Sequence, residues 1–288
     1  MSKIEKALKR MGNAGQRKDE QEQRPSAPSR VQAKEERAKG KAAIPSPTRL
    51  HHLDMDELER SGFLVHEARQ SVLAEEFRQL KRPLLINAFG NGDVDNANII
   101  MITSALQGDG KTFMTINLGM SMAIEMDTTV LLVDGDVVRP ALTQALGLEG
   151  APGLTDVLDG KMPLKDVIVR TDVPKLWVIP AGQAHVQSAE LLASERMREI
   201  SKELAQRYSD RAVLFDSPPI LATSHASAIS RLAGQVLVVA EAGKTPQNAI
   251  KEAVSHLDPA KIIGLALNKS SQPARGSYYG GLYGAYGQ

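Results

Sequence analysis

The segment from Asn98 to Ala123 leaves a chain of this kind few folds to choose from. Asn98 to Thr103 is a β-branched, apolar run that predicts a buried strand, and after Lys111 the residues Phe113, Ile116, Met120 and Ile124 recur at helical spacing. Between them stands Ala105-x-x-x-x-Gly110-Lys111-Thr112, the spacing of a phosphate-binding loop with alanine in its first position. Gly108 and Gly110 let the backbone curl until successive N–H groups point inward at anionic oxygens, and the helix N-terminus adds its own field. Lys111 is spaced to reach the β- and γ-phosphates of a nucleotide, and the Thr112 hydroxyl to meet Mg²⁺. A chance Gly-Asp-Gly-Lys-Thr turn has no need of a strand before it and a helix after it.

Two acidic sites follow at strand ends, where α/β sheets place their ligands. Thr129-Val-Leu-Leu-Val leads directly into Asp134-Gly-Asp136, and Arg211-Ala-Val-Leu-Phe leads into Asp216-Ser-Pro-Pro219. A lone aspartate there is an ordinary helix cap or turn former. Three of them downstream of a phosphate loop point instead to a divalent cation held with a nucleotide. A hard cation keeps several waters and takes few protein oxygens, which suits Thr112, Asp134 and Asp216.

Further buried strands are expected at residues 176–180, 235–240 and 261–268, with helical patterns between them. That alternation predicts an α/β fold: three layers, a mostly parallel sheet with helices on both faces. The boundaries expected are a basic arm over residues 1–50, a globular domain over 51–270 and a Gly/Tyr-rich tail over 271–288. Residues 51–85 are mostly helical in pattern, with Leu73, Phe77 and Leu80 on one face. Glu75, Arg78 and Lys81 step along the same helix as a slanted charged ridge, a spacing that ordinary i,i+3 pairing also explains. Trp177, the only tryptophan, is expected in the core, and the six histidines show no metal-ligand spacing.

The chain of 288 residues contains no cysteine, which excludes disulfides and thiolate chemistry. It has no apolar run of transmembrane length, and MSKIEKALKRM lacks the apolar centre of a signal peptide, so a cytoplasmic protein is expected. The net charge of +1 conceals a division: residues 1–50 hold 13 Lys/Arg against 6 Asp/Glu, leaving that arm at +7 and the rest at −6. Ser2-x-x-Glu5 offers a capping box for a short first helix. The remainder of the arm is rich in charged residues, proline and serine, a composition of disordered chain. Such an arm suits acidic lipid headgroups or an acidic partner, and equally a solubilising role. No aromatic residue interleaves with its basic ones, so no nucleic acid is expected as a partner.

Four of the five tyrosines, Tyr278, Tyr279, Tyr283 and Tyr286, fall in the last eleven residues, within GSYYGGLYGAYGQ. The run has no apolar period and too much glycine for a packed element. On composition alone it is a modification substrate, an adhesive tract or plain low complexity.

Taken together, residues 70–288 resemble the bacterial tyrosine kinases of the P-loop type, which serve exopolysaccharide synthesis and export. Gly108-Asp109-Gly110-Lys111 is similar to that family's loop, Asp134-Gly-Asp136 to its second Walker-type motif and Asp216-Ser-Pro-Pro219 to its Walker B. Gly153-Leu-Thr-Asp-Val-Leu158, Pro180-Ala-Gly182 and Ala189-Glu-Leu-Leu192 resemble further landmarks of the family. The start MSKIEKALKR and the stretch EEFRQLKRPLL resemble, more narrowly, the tyrosine autokinases found with exosortase-linked polysaccharide systems.

The resemblance implies ATP and Mg²⁺, with nucleotide contacts from Gly108, Asp109, Gly110, Lys111, Thr112, Phe113 and Asn268. It implies that Asp134 takes the proton of an incoming tyrosine, with Asp136 as the alternative base. It implies autophosphorylation of the tail, and homo-oligomeric rings formed through the helix of Glu75, Arg78 and Lys81. A separate transmembrane activator of the polysaccharide co-polymerase kind, a cognate tyrosine phosphatase and a peripheral place at the inner face of the bacterial plasma membrane are implied as well.

The sequence departs from the family in two places. Val138 stands where the family usually has arginine, with Arg139 one position later, and Lys81 replaces the last arginine of the ring motif. Lysine lacks arginine's planar bidentate fork. The competing expectation is a partition- or septum-positioning ATPase of the same fold. Those proteins carry a signature lysine where this chain has Leu106, and they have no use for a tyrosine cluster.

Overall fold

The computed structural model describes residues 50–65, 71–90, 92 and 94–270. The basic arm with its expected first helix, and the tail carrying Tyr278, Tyr279, Tyr283 and Tyr286, lie outside the described residues.

Short apolar runs with no polar alternation read as strands covered on both faces, and they assemble here into one eight-stranded sheet of order β1-β4-β5-β3-β6-β2-β7-β8. The last run, Ile262–Asn268, is not buried as expected but forms a half-exposed edge, since no further strand pairs with it among the described residues. Its centre consists of β3 (Thr129–Asp134), β6 (Arg211–Asp216), β2 (Ile99–Ser104) and β7 (Gln235–Glu241). On one side lie β5 (Leu176–Ile179), β4 (Val169–Thr171) and β1 (Leu50–His51), and on the other β8 (Ile262–Asn268) forms the edge. All pairings are parallel except β4 with β5. The short strands β1 and β4 escape sequence patterning because two or three residues carry no period. The longer runs appear within a residue or two of their expected bounds.

Side chains alternate between two apolar cores. Ile100, Ile102, Val130 and Leu132 face one, under α1 (Met55–Arg60), α2 (Val72–Phe89), α3 (Lys111–Ala123) and α4 (Ala141–Ala145). Ile99, Met101, Leu131 and Val133 face the other. That second face is covered by α5 (Leu154–Leu158), α6 (Leu164–Val167), α7 (Ser188–Leu192), α8 (Glu195–Gln206), α9 (Ser224–Leu232) and α10 (Gln247–Ser255). The result is the expected three-layer α/β fold. Trp177 lies in the second core beside Arg211, whose guanidinium carbon is 3.8 Å from the centre of the Tyr208 ring and 5.1 Å from that of Trp177. Among the described residues no helix is long and apolar enough to cross a membrane.

The chain after β2 crosses through α3 to β3, returns as β6 between the two, and continues to β7 on the far side of β2. The carboxyl end of β2 is therefore the switch point of the sheet, where connections diverge and leave a crevice. The loop from Ala105 to Gly110 opens there.

Candidate active site

The loop owes its shape to two glycines. Gly108 and Gly110 have φ of 90° and 96°, in the left-handed region, and Gly110 caps α3 without any side-chain bond. The first amides of α3 thus remain free to point at a ligand. A Cβ on Gly110 would lie 2.0 Å from Asn268 Nδ2, so close approach as well as φ demands glycine. Asn268 closes the cradle by donating that Nδ2 to the Asp109 carbonyl at 2.9 Å.

The ends of β7 and β8 brace the same loop from outside. Lys269 Nζ donates to the Gly108 carbonyl at 2.9 Å and pairs with Glu241 at 3.0 Å. Asp109, only 3 % exposed, accepts from Thr245 Oγ1 at 2.8 Å and from the Leu106 amide at 3.2 Å. Asp109 thus holds the loop's shape with both carboxylate oxygens.

Lys111 and Thr112 open α3, and the lysine is buried. Thr112 Oγ1 donates to Asp216 Oδ2 at 2.7 Å, and Thr115 Oγ1, one turn along the helix, is 3.2 Å from Asp216 Oδ1. Asp216 and Asp134 are register partners at the tips of β6 and β3. Asp134 accepts at Oδ2 from Thr143 N at 2.8 Å and Thr143 Oγ1 at 2.7 Å, and at Oδ1 from the Asp136 amide at 3.2 Å.

Burial pushes the Asp134 carboxyl up to about 7, with the neighbouring Asp216 charge second, against the lowering pull of its hydrogen bonds. Burial likewise raises Asp216 to about 6, against Thr112, Lys111 and Thr115. Two adjoining buried carboxylates whose anionic forms are disfavoured present a hard-oxygen donor set with a hydroxyl beside it. Those donors fit a small divalent cation of the magnesium type.

Asp136 adjoins this pair, its charge helping to raise Asp216. It is half-buried, and its Oδ1 accepts the Arg139 amide at 3.1 Å. The Arg139 guanidinium reaches across to Gln107 Oε1 and ties the loop after β3 to the phosphate loop. Phe113 is partly buried on α3, 5.5 Å from the ring of Phe63, and lines a cleft that Gly110 and Asn268 also line.

The landmark segments converge beside the site. Leu154 N and Thr155 N donate to the Pro180 and Ala181 carbonyls at 2.8 and 3.0 Å, and a Cβ on Gly153 would lie 2.1 Å from the Pro180 carbonyl oxygen. Thr143 Oγ1 in turn accepts the Ala181 amide at 3.0 Å. The segment 180–182 therefore supports Asp134 through one hydroxyl.

The ridge on α2 is not continuous. Glu75 and Arg78 are exposed and pair at 2.6 Å. Lys81 instead turns into the protein, where it is 6 % exposed, donates to the Ser121 carbonyl at 2.7 Å and pairs with Glu125 at 2.7 Å. Its ammonium lies on a carbonyl of the last turn of α3, where positive charge is favourable. The expected surface role of Lys81 gives way to an internal one. Thr143, Thr245, Glu241 and Lys269 had no motif to reveal them, whereas Thr115 lies three residues past Thr112 and was within reach of helical spacing.

Comparison with known proteins shows relatives in sequence and in fold. The AAA domain family matches residues 97–261. The chain is 32% identical over 181 residues to the tyrosine-protein kinase ptk of Acinetobacter johnsonii, covering 62% of this chain but only 24% of that protein. It is 34% identical over 185 residues to the tyrosine-protein kinase YwqD of Bacillus subtilis, covering 63% of this chain and 77% of that one. Among solved structures, the kinase domain of the Escherichia coli tyrosine kinase ETK superposes with a TM-score of 0.59 at 27% identity, over 76% of this chain and 96% of that domain. The septum site-determining protein MinD of Pyrococcus horikoshii with Mg-ADP reaches 0.50 at 26% identity, over 60% of this chain and 72% of that one.

Proposed function

The chain belongs to the family of bacterial P-loop tyrosine kinases, and from that premise we propose that it transfers the γ-phosphoryl group of ATP to tyrosine hydroxyls of its own C-terminal cluster. The acceptors are Tyr278, Tyr279, Tyr283 and Tyr286, presented by a neighbouring subunit. The observation that carries this reading is the contact of Thr112 with Asp216 at 2.7 Å, in register with Asp134 across two strand tips beside the phosphate loop.

In this mechanism the amides of residues 108–112 and the Lys111 ammonium hold the β- and γ-phosphates and offset the charge that develops during transfer. Thr112 and Asp216, with Asp134 beside them, would hold Mg²⁺, which would supply positive charge against that developing on the phosphates. Asp134 takes the phenol proton. A tyrosine of pKa about 10 needs such a base, and a carboxyl poised near 7 accepts a proton better than an ordinary aspartate. Asp136, the more exposed of the two, guides the hydroxyl toward it and is the alternative base. Asn268 and Phe113 flank the nucleotide's base end, and Asp109 keeps the cradle in shape.

The wider roles follow from the same premise. The chain assembles as a ring through the α2 surface of Glu75 and Arg78, answers to a separate transmembrane activator and a tyrosine phosphatase, and acts at the inner face of the membrane in exopolysaccharide export. A second reading, a septum-positioning type of ATPase, draws on the fold shared with MinD but lacks a lysine at Leu106. Intact mass after incubation with Mg²⁺–ATP separates the two. Phosphate on residues 278–286, absent from Lys111→Met, is expected; ADP release without protein phosphate would favour the ATPase.

A further inference from the structure

An apolar cleft of about 820 Å³ runs from the phosphate loop along the edge of the sheet, between α2, the start of α3 and β8. Leu73 and Leu80 of α2, Phe113 of α3 and Leu265 and Leu267 of β8 line it, with Glu76 as its acidic member and Lys269, whose charge is paired with Glu241, as its basic one. Leu265 and Leu267 are 63% and 67% exposed on a strand whose outer edge pairs with no other strand among the described residues. An open edge strand bearing large apolar side chains is an association hazard unless something covers it.

The chain itself supplies a cover. Ser270, on the cleft's rim, is followed by eighteen residues, Ser271–Gln288, with Arg275 as their one charged side chain and Leu282 set among four tyrosines. Lys269 leaves β8 with φ of 57°, a left-handed turn pinned by its bonds to Gly108 and Glu241. The seven residues 271–277 span at most about 25 Å, close to the roughly 23 Å length of β8, so Tyr278 can be brought to any point along the cleft. Tyrosine rings and Leu282 match the leucine walls, glycines let the backbone lie against them, and Arg275 is opposite in sign to Glu76.

We propose that this cleft is the docking site for the unmodified tail of the same chain, which covers the β8 edge and withholds its tyrosines from a neighbouring subunit until displaced. Phosphate added to a displaced tail would bring about −1.5 to −2 charges per tyrosine against apolar walls and Glu76, so a modified tail does not return to the cleft. The inference builds on the tail being the substrate, but docking itself requires neither ATP nor catalysis.

The absence of native cysteine allows a clean test on the full chain without nucleotide. Leu267→Cys with Leu282→Cys is exposed to oxidised glutathione in dilute solution, beside Val186→Cys with Leu282→Cys. Val186 is fully exposed on the loop after β5, five places from β8 in the sheet, and the tail is long enough to reach it. The expected result is a cross-linked monomer forming about tenfold or more faster at Leu267 than at Val186, the tethered tail having a raised effective concentration at its own site. Adding Leu80→Gln should slow closure at Leu267 and leave the Val186 pair unchanged. Equal rates at the two positions would overturn the proposal. Cross-linked dimers in place of monomers would overturn it too, and assign the cleft to the tail of a second copy. If docking holds while Mg²⁺–ATP adds no phosphate, the kinase reading fails and the docking site stands.

Discussion

The rim of the sheet around Asp134 and Asp216 and the outer face of α2 both carry the ionisable residues that define the family resemblance, yet they obey different physics. At the rim, Asp134 and Asp216 are nearly inaccessible and draw their contacts from outside their own strands, Asp216 from α3 and Asp134 from α4 and the loop after β3. On α2, Glu75 and Arg78 meet within one helix in open solvent, while Lys81, three residues on, is buried. An ionisable side chain is therefore a buried carboxyl of raised pKa in one place, part of a solvated pair in the second and a structural clamp in the third. Burial and the origin of the partners decide which.

Substitutions that remove charge at the rim should have the largest effects. Lys111→Met and Asp216→Asn should each lower the initial rate of protein phosphorylation by about a hundredfold or more, the scale of losing one electrostatic anchor of a transition state. Thermal denaturation should show both variants folded. Asp134→Asn and Asp136→Asn divide the rim further. If Asp134 is the base, its variant should lose about as much rate as Lys111→Met, while Asp136→Asn keeps a larger share. The reverse order would move the base to Asp136.

Next in size is Lys81. Lys81→Ala should destabilise the domain by about 2 kcal/mol in a urea titration, the scale of a buried charged hydrogen bond. Glu75→Ala or Arg78→Ala should cost only a few tenths. Sedimentation reverses the ranking: the Arg78 variant should weaken ring assembly and the Lys81 variant should not. Loss of assembly at undiminished stability in Lys81→Ala would erase the distinction drawn between the two halves of the helix.

The pH dependence of stability gives the finest test. Asp134 in the folded protein titrates near 7, above its ordinary 3.8, so the native state binds more protons than the unfolded chain between those values. Stability contributed by the neutral form is present below about 4 and is lost as pH rises toward 7. Metal-free wild type should therefore fall relative to Asp134→Asn across that window, and Mg²⁺ with nucleotide should narrow the gap. A constant difference would mean that Asp134 is not held neutral in the native state.

What the sequence determined by itself was whatever depends on neighbours along the chain. The apolar run before Ala105, the two glycines around Asp109 and the helical spacing after Lys111 specify a strand, a curled loop and a helix from local sterics alone. Runs ending in Asp134 and Asp216 announce strand tips for the same reason, and the alternation of elements implies the layered sheet. Strands β1 and β4 left no such mark, because so few residues hold no pattern. Tertiary structure alone decided that Thr143 and Ala181 stand behind Asp134, that Lys269 and Thr245 brace the loop from the far strands, and that Lys81 faces inward. Thr143 lies 9 positions from Asp134, but the other contacts join residues 38 to 161 positions apart, with the Lys81–Ser121 bond at 40. At such separations a side chain's environment is set by which surfaces the folded sheet brings together, and no local period records it.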